Sequence, residues 1–329
     1  MRLSVSFILF LGLLLSSCTG DECSYRPDSR TFTPVVFDPV ATDFIPSRTM
    51  KTDWLEGDRL AIFSDRAVKK DGNTSTASIT YTRGATAGSW TPPDEAKQWY
   101  LTDAALEYNF YAYYPVGTAA SYATVELPDI SGQDGTKTLE ELKAEDDFLR
   151  GTATATQECP TADLQMVRVF AIINLKIKIE EGSFSGNAAT LSDVKLVSTS
   201  SLPLENSGQE NTATVNLSNG QVTCPNGLSA MNLHPTTAFA LTPAEHSIPV
   251  KIYPQKSTTA NPAIQAQFTV AGKTSALLNL GSTTEFVGGH IYNYPIEIGA
   301  DIRTVGIGDP TITDWESTDE PALNPIIPY

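Results

Sequence analysis

The residue with the most specific chemistry in this sequence is Cys18, a thiol that stands directly behind an apolar segment. Met1 and Arg2 form a short positive start, and the run Leu3–Leu15 is apolar but too short to cross a membrane as a helix. An ordinary secretory signal ends in a pattern such as A-x-A, whereas this one ends in Leu15-Ser16-Ser17-Cys18. That boundary is typical of a bacterial lipobox. We therefore predict a lipoprotein signal peptide over residues 1–17 and acyl chains on Cys18. The alternative is a secreted protein with an incidental cysteine.

Side chains that could carry out catalysis do not assemble into a recognisable active site. No serine lies in a G-x-S-x-G pattern, and the sequence has neither a Walker loop nor a G-x-G-x-x-G turn. Of the three histidines, His290 follows two glycines and precedes a predicted strand, which favours a position at a strand edge. Asp146 and Asp147 could hold a cation, but two acids beside a strand are usually solvated. We therefore predict no enzymatic activity, no catalytic residue, no metal and no cofactor.

Net charge and cysteine content restrict the partners and the redox chemistry. The 329 residues carry a net charge of −16, and an acidic surface repels phosphate backbones, so we expect no nucleic-acid partner. If Cys18 carries lipid, then Cys23, Cys159 and Cys224 can form at most one disulfide bond. Cys159 with Cys224 is one possibility, and the sequence does not fix the pairing.

The elements that must position these residues are predicted to be mostly β-strands. Charged residues make up only 18% of the chain, and Gly, Pro, Asn or Asp separates most of the short apolar runs, which is the spacing of an all-β sandwich. The clearest pattern is the alternation between Gln165 and Glu181, which predicts one long, half-buried strand. Arg168 falls on its polar face, where Phe170 and Ile172 are apolar exceptions. The one helix-like stretch, Leu139–Asp147, is short.

Composition divides the exported chain into four predicted segments. Residues 18–30 are polar and form a tether, and residues 31–160 form an N-terminal domain that begins with the β-like run Thr31–Phe37. Residues 161–315 form a C-terminal domain. Residues 316–329 form a C-terminal tail that is too apolar to be solvated and too rich in proline for an ordinary central strand.

Several motifs, taken in order and spacing, resemble the fimbrillin family, which comprises the pilins and accessory subunits of type V pili. Together they span nearly the whole chain, although each is weak alone. One departure is Arg168, where many relatives would have histidine. The motifs are the lipobox at Cys18, Arg48-Thr49 followed by Trp54-x-x-Gly57-Asp58-x-x-Ala61-Ile62-Phe63, Phe110-Tyr111-Ala112-Tyr113-Tyr114-Pro115, Asp147-Phe148-Leu149 with the strand around Met166–Ile179, Gly289-His290-Ile291-Tyr292-Asn293-Tyr294-x-Ile296-x-Ile298, and Ile312-Thr313-Asp314-Trp315.

The resemblance implies two transthyretin-like antiparallel β-sandwich domains and a subunit of a surface fimbria. It also implies export to the outer membrane as a lipoprotein, cleavage after an arginine by a surface protease, and strand exchange with other fimbrial subunits. A cut after Arg48 would remove both the lipid on Cys18 and the strand Thr31–Phe37, whereas a cut after Arg30 would leave that strand in place. We therefore predict maturation at Arg48, and residues 316–329 are the candidate donor strand.

Two other functions remain open at this point. The chain could be a tip or accessory adhesin of the same pilus that binds a host protein or glycan, or a glycan-binding lipoprotein of a nutrient-uptake system. Exposed aromatic side chains at Trp90, Trp99 and Tyr100 would favour the glycan readings, whereas burial of these side chains would make them part of the core.

Overall fold

The computed structural model describes residues 32–41, 54–69, 77–86, 88–145, 147–182, 184, 189–199, 202–205, 207, 213–234, 238–256, 262–300, 302 and 305–315. Nearly all regular structure within these residues is β-strand, which confirms the all-β prediction. The first ten strands are β1 (Thr33–Pro34), β2 (Val36–Ala41), β3 (Arg59–Ser64), β4 (Ile79–Arg83), β5 (Trp90–Thr91), β6 (Tyr100–Leu101), β7 (Tyr108–Tyr114), β8 (Val125–Glu126), β9 (Leu149–Ala155) and β10 (Thr161–Arg168).

The later strands follow the same short, alternating texture that the sequence predicts. They are β11 (Ala171–Ile179), β12 (Ala189–Ser198), β13 (Thr214–Val215), β14 (Val222–Thr223), β15 (Ala230–Leu233), β16 (Phe239–Leu241), β17 (His246–Ile252), β18 (Gln255–Lys256), β19 (Ile264–Val270), β20 (Lys273–Thr274), β21 (Leu278–Asn279), β22 (Glu285–Phe286), β23 (His290–Ile298), β24 (Val305–Ile307) and β25 (Thr311–Asp314).

Helix is a minor component of the described residues. A 3-10 turn spans Glu95–Lys97, and the helix-like stretch of the sequence is observed as α1 (Leu139–Ala144). A capping box starts α1, because the Thr138 side chain accepts from the Glu141 backbone N–H and the Glu141 carboxylate accepts from the Thr138 N–H.

The first half of the chain folds around a seven-stranded sheet in the order β2-β10-β9-β7-β3-β4-β5. Its pairings are antiparallel except the one at the edge, where β2 runs parallel to β10. Large apolar side chains, among them Phe37, Tyr81, Trp99 and Phe110, fill the core on one face of this sheet. The edge strand β2 therefore comes from the start of the described chain and is paired with a strand far away in sequence.

The second half is a sandwich of two sheets. One sheet has the order β17-β11-β23, with β24 and β25 both paired to β23, and the other has the order β15-β12-β19 with short additional strands. Side chains of alternating positions, such as Ile173 and Leu175 on β11 and Leu196 and Phe268 opposite, fill the space between them. Strands β11 and β23 are parallel, so the sheets are not purely antiparallel.

The long strand predicted between Gln165 and Glu181 is wrong in one respect, because it is two strands in two different sheets. β10 ends at Arg168 and β11 begins at Ala171. Between them the Val169 N–H donates to the Phe148 carbonyl at 3.0 Å, and the Phe170 carbonyl accepts from the Gly289 N–H at 2.8 Å. The apolar alternation of the sequence runs through this step, but the face turned to the core changes from even positions in β10 to odd positions in β11, and the sequence pattern alone does not reveal this change.

A third core joins the two halves and explains the apolar exceptions in that pattern. Phe170 and Ile172 point into it, and it also contains Trp315. A small sheet of β8, β13 and β14 adds residues from both halves to the same core. The strand Thr161–Arg168, which lies beyond the predicted boundary at residue 160, belongs to the sheet of the first half. The division of the chain into two domains stays a prediction.

Candidate functional site at the edge of the first sheet

The edge strand β2 is inserted into the first core by alternate side chains. Val35, just before β2, and Phe37 and Pro39 on it are buried, while Val36 and Asp38 between them are exposed. The Phe37 ring is 2% exposed and packs edge-on against Tyr81 and Phe110, with centroid distances of 4.8 and 5.2 Å. The strand therefore fills a groove whose pockets recur every second residue.

One parallel ladder holds the backbone of β2. It pairs with β10 from Val36 opposite Thr161 to Ala41 opposite Met166, and the Val36 N–H donates to the Pro160 carbonyl at 2.9 Å. Because hydrogen-bonding direction alternates along a strand, the Pro39 nitrogen lies on the side away from β10, where a missing N–H costs no ladder bond.

The outer side of β2 is fastened by an aromatic side chain rather than by another strand. The Trp54 indole N–H donates to the Pro39 carbonyl at 2.9 Å. Trp54 packs edge-on against Trp90 and Tyr114, at centroid distances of 5.3 and 5.7 Å, which fixes its orientation. This indole bridges β2 to the opposite edge of the same sheet, where Trp90 begins β5.

The residues just before β2 join a different strand. β1 pairs with β6, where Thr33 lies opposite Leu101, and the Val35 N–H donates to the Trp99 carbonyl at 3.1 Å. The Phe32 ring packs edge-on against Tyr100 at 5.7 Å. The segment 32–41 is thus a short peptide that fills a groove through ladder hydrogen bonds and apolar pockets.

The corresponding edge in the second half is already covered. β17 pairs with β11 on one side, and on the other side the Gln133 side chain bonds both backbone groups of Lys251. The Lys251 N–H donates to Gln133 Oε1 at 2.8 Å, and Gln133 Nε2 donates to the Lys251 carbonyl at 2.7 Å. Helix α1 packs against β17 as well. A side-chain amide therefore stands where a neighbouring strand would bind.

The two residues predicted to carry chemistry lie outside the described part of the chain. These are Cys18 and Arg48, and the tether 18–30 and the segment 316–329 lie outside it as well. Cys159 is in a disulfide whose partner also lies outside the described residues, and Cys224 is free. The Cys159–Cys224 pair is therefore not formed. Burial raises the pKa of the Cys224 thiol, and the negative charge of the nearby Asp129 adds to this effect.

Two of the three aromatic residues whose exposure would favour glycan binding belong to the core. Trp99 is 1% exposed, and its indole N–H donates to the Ile62 carbonyl at 3.0 Å. Tyr100 is buried too, and Trp90 is half-buried against Trp54. The packing of these rings therefore serves the groove that holds β2.

Arg168 and Lys251 form a buried cationic cluster at the junction of the two halves, which the sequence does not predict. Arg168 was expected on a polar face, yet it is 5% exposed, with its Nε 3.1 Å from Asp147 Oδ2 and its guanidinium 5.7 Å from the Trp315 ring centroid. Lys251 lies over the same ring at 5.4 Å and over Phe170 at 5.5 Å. Asp147 thus pairs with an arginine. No sequence pattern connects residues this far apart.

The remaining candidates for chemistry are ordinary in the structure. His290 opens β23, as predicted for a strand edge, with its Nδ1 3.3 Å from Asp314 Oδ1. Within the described ranges there is no group of three His, Cys, Asp or Glu side chains that could hold a metal ion. In the same part of the chain, no helix has the length and apolar character needed to cross a membrane.

The protein is an all-β protein in which one edge strand of the first sheet is held by a parallel ladder and by alternating apolar pockets. The fimbrillin-like family profile matches residues 47–315 of the chain. Because this match covers well over half of the sequence, the chain belongs to the fimbrillin-like family, a family of fimbrial proteins. No curated protein matches the chain significantly.

The chain is similar to three solved structures of Bacteroides proteins. A fimbrial protein from Bacteroides vulgatus is 13% identical, with 86% of this chain and 99% of that chain covered and a TM-score of 0.49. A candidate cell adhesion protein from Bacteroides uniformis is 20% identical, with 80% and 93% covered and a TM-score of 0.48. Another from Bacteroides ovatus is 18% identical, with 88% and 100% covered and a TM-score of 0.46. The family assignment rests on the sequence match over residues 47–315.

Proposed function

We propose that this chain is a structural subunit of a bacterial surface fimbria, which assembles when a strand from another subunit replaces β2. The observation that carries the proposal is the attachment of β2, a short edge strand held by one parallel ladder and by alternate apolar side chains. Removing it would leave the edge of β10 unpaired and the pockets beside Tyr81 and Phe110 open. An incoming strand would restore both the hydrogen bonds and the apolar burial.

The maturation steps follow from the order of residues along the chain. Export as a lipoprotein would place the subunit at the outer membrane, anchored through acyl chains on Cys18. A protease that cuts after Arg48 acts between β2 and Trp54, so this cut, together with reduction of the disulfide at Cys159, would separate both the lipid and β2 from the rest of the subunit. The released subunit would then polymerise with other fimbrial subunits.

A glycan-binding role is not proposed. That reading depended on exposed rings at Trp90, Trp99 and Tyr100, and two of these are buried. A subunit at the fibre tip would use the same groove, so the Arg48→Ala variant tests that role in the same way.

The test is the variant Arg48→Ala, with Arg30→Ala as the matched control. We expect Arg48→Ala to give a lipid-bound, unassembled subunit under conditions in which the wild type forms fibres, because β2 stays covalently attached. Arg30→Ala should assemble normally. The readouts are the N-terminal residue of the subunit by mass spectrometry and fibres by electron microscopy. Fibres whose subunits still begin at Cys18 would refute the mechanism.

A further inference from the structure

The turn between β9 and β10 carries a covalent link to the start of the chain. Cys159 in this turn is disulfide-bonded, and Cys224 is free. The chain has four cysteines, so the partner of Cys159 is Cys18 or Cys23. A lipid on the sulfur of Cys18 would leave Cys23 as the partner. Both candidates precede Arg48, so either pairing joins the segment that contains β2 to the rest of the chain.

The disulfide lies in a tight turn that a reductant can reach. The Cys159 N–H donates to Thr156 Oγ1 at 3.1 Å, and the Thr156 N–H donates to the Cys159 carbonyl at 3.0 Å. These two hydrogen bonds fix the backbone on which the sulfur is carried. Cys159 is half-buried and Glu158 beside it is exposed, so the turn is open to solvent.

The same turn borders the groove that holds β2. Gln157 Nε2 donates to the Leu101 carbonyl at 2.8 Å, and Leu101 belongs to β6, the strand that pairs with β1. On its other side the turn ends at Pro160, whose carbonyl accepts from the Val36 N–H at 2.9 Å. The disulfide is therefore one residue away from the point where β2 enters its ladder with β10.

We propose that the disulfide of Cys159 is a redox-controlled latch on β2, so that a cut after Arg48 alone leaves the strand in its groove until a dithiol reduces the bond. This proposal rests on the proposed function and specifies how release of its strand is regulated. Cleavage breaks the peptide chain between β2 and Trp54, but the excised segment keeps its covalent link to the turn. Release then requires two separate chemical events, a hydrolysis and a reduction.

The reduction is a two-electron thiol–disulfide exchange. One thiolate of the dithiol attacks a sulfur of the disulfide, forms a mixed disulfide with that cysteine and displaces the other cysteine as a thiolate. The second thiolate of the dithiol then displaces the first cysteine. The dithiol ends as a cyclic disulfide, and its two protons pass to the two cysteine thiols. One of these thiols is Cys159, and the other leaves with β2.

The latch acts by keeping the excised strand close to its own groove. About twelve residues lie between Cys23 and Val36, and even a random coil of this length spans only roughly 20 Å. A strand tethered at this distance has an effective concentration in the millimolar range. A competing strand at about 10 μM is therefore disfavoured roughly a hundredfold while the disulfide is intact. Reduction removes this advantage and lets the competing strand enter.

The test uses the full chain after cleavage at Arg48, with and without dithiothreitol as the dithiol. Retention of the excised segment is measured by size-exclusion chromatography followed by non-reducing mass spectrometry. A fluorescent peptide of residues 31–48, at about 10 μM, serves as the competing strand, and its uptake is followed by anisotropy. We expect the oxidised chain to keep its segment and to take up roughly a hundredfold less peptide than the reduced chain.

Two variants separate the latch from other effects of thiols. Cys159→Ser should release its segment without a reductant and should take up the peptide as the reduced wild type does. Cys224→Ser is the matched control, because it removes the free cysteine and should behave as the wild type with and without reductant. Reduction of the unmodified chain measures the same effect without a substitution, so the result does not depend on the folding of Cys159→Ser.

Three outcomes would overturn the latch. The first is loss of the segment from the oxidised wild type, and the second is equal uptake of the peptide by the oxidised and reduced chains. The third is a released peptide that begins at Thr31, because a second cut after Arg30 would free β2 without reduction. The proposed function fails separately: if the reduced chain exchanges its segment for the peptide but subunits never assemble, the latch stands and strand exchange between subunits is wrong.

Discussion

The groove can be tested through one side chain, Phe37, whose loss should loosen β2 without changing its backbone. The ring is 2% exposed and packs edge-on against Tyr81 and Phe110. Replacing a buried phenylalanine by alanine costs about 3–5 kcal/mol, because apolar contacts are lost and a cavity is left. In the intact chain, Phe37→Ala should therefore lower the free energy of unfolding by about that amount, measured by urea denaturation.

The same loss of free energy should change the release of the cleaved β2 segment by a large factor, which makes release easier to observe than the change in unfolding. After cleavage at Arg48, only non-covalent contacts hold the excised segment once the Cys159 disulfide is reduced. A loss of about 3 kcal/mol corresponds to a weakening of roughly a hundredfold or more, since each 1.4 kcal/mol is tenfold. Segment release, followed by size-exclusion chromatography and mass spectrometry, should accelerate accordingly in Phe37→Ala.

Val36→Ala is the control for this experiment. Val36 lies on the same strand but is 55% exposed, so its truncation should change release by no more than about threefold. If Phe37→Ala releases the segment no faster than Val36→Ala does, the alternating pockets do not hold β2, and the reasoning about the groove is refuted.

Three further predictions concern other contacts. Trp54→Phe removes the indole N–H that binds the Pro39 carbonyl, so it should weaken retention of the cleaved segment by about 0.5–1.5 kcal/mol in the same release assay; unchanged retention would contradict this. Burial is the largest cause that raises the pKa of Glu205, to about 7, and the negative charge of the nearby Asp129 is the next. The stability that this carboxyl contributes is therefore present below its ordinary value near pH 4.5 and is lost as pH rises through about 7. Glu205→Gln should stabilise the chain by about 1–2 kcal/mol at pH 8 and not at pH 4 in urea titrations, whereas the exposed control Glu245→Gln should show no such difference; equal effects at both pH values would count against it. Cys18→Ala should leave the protein unprocessed or soluble in membrane fractionation, and normal fractionation with the membrane would rule out lipidation at this residue.

The strand content followed from the sequence because alternation and turn residues are local signals. The run at Thr31–Phe37 and the strand at Phe110–Tyr114 are both recognisable in this way. The described part of the first contains β1 and the start of β2, and the second lies within β7. The parallel pairing of β2 with β10 was not, because it joins residues more than a hundred positions apart and depends on the path of the chain between them.

Burial of charged residues was the least predictable feature. Arg168 and Lys251 have the sequence context of outward-facing residues, yet both lie beneath the ring of Trp315. Their burial depends on the third core, which forms only when the two halves meet. The disulfide state of Cys159 was equally inaccessible, because spacing alone does not fix which cysteines approach one another.

The Gln133 amide that covers β17 has a consequence for the shape of any polymer. A monomer with one acceptor groove and one donor strand is bifunctional, and bifunctional monomers can join only into linear chains. An uncovered β17 edge would add a third reactive point, and trifunctional monomers branch and form networks. By bonding both backbone groups of Lys251 within its own chain, Gln133 covers this edge, so under the proposed strand exchange β17 would not act as a branch point of the filament.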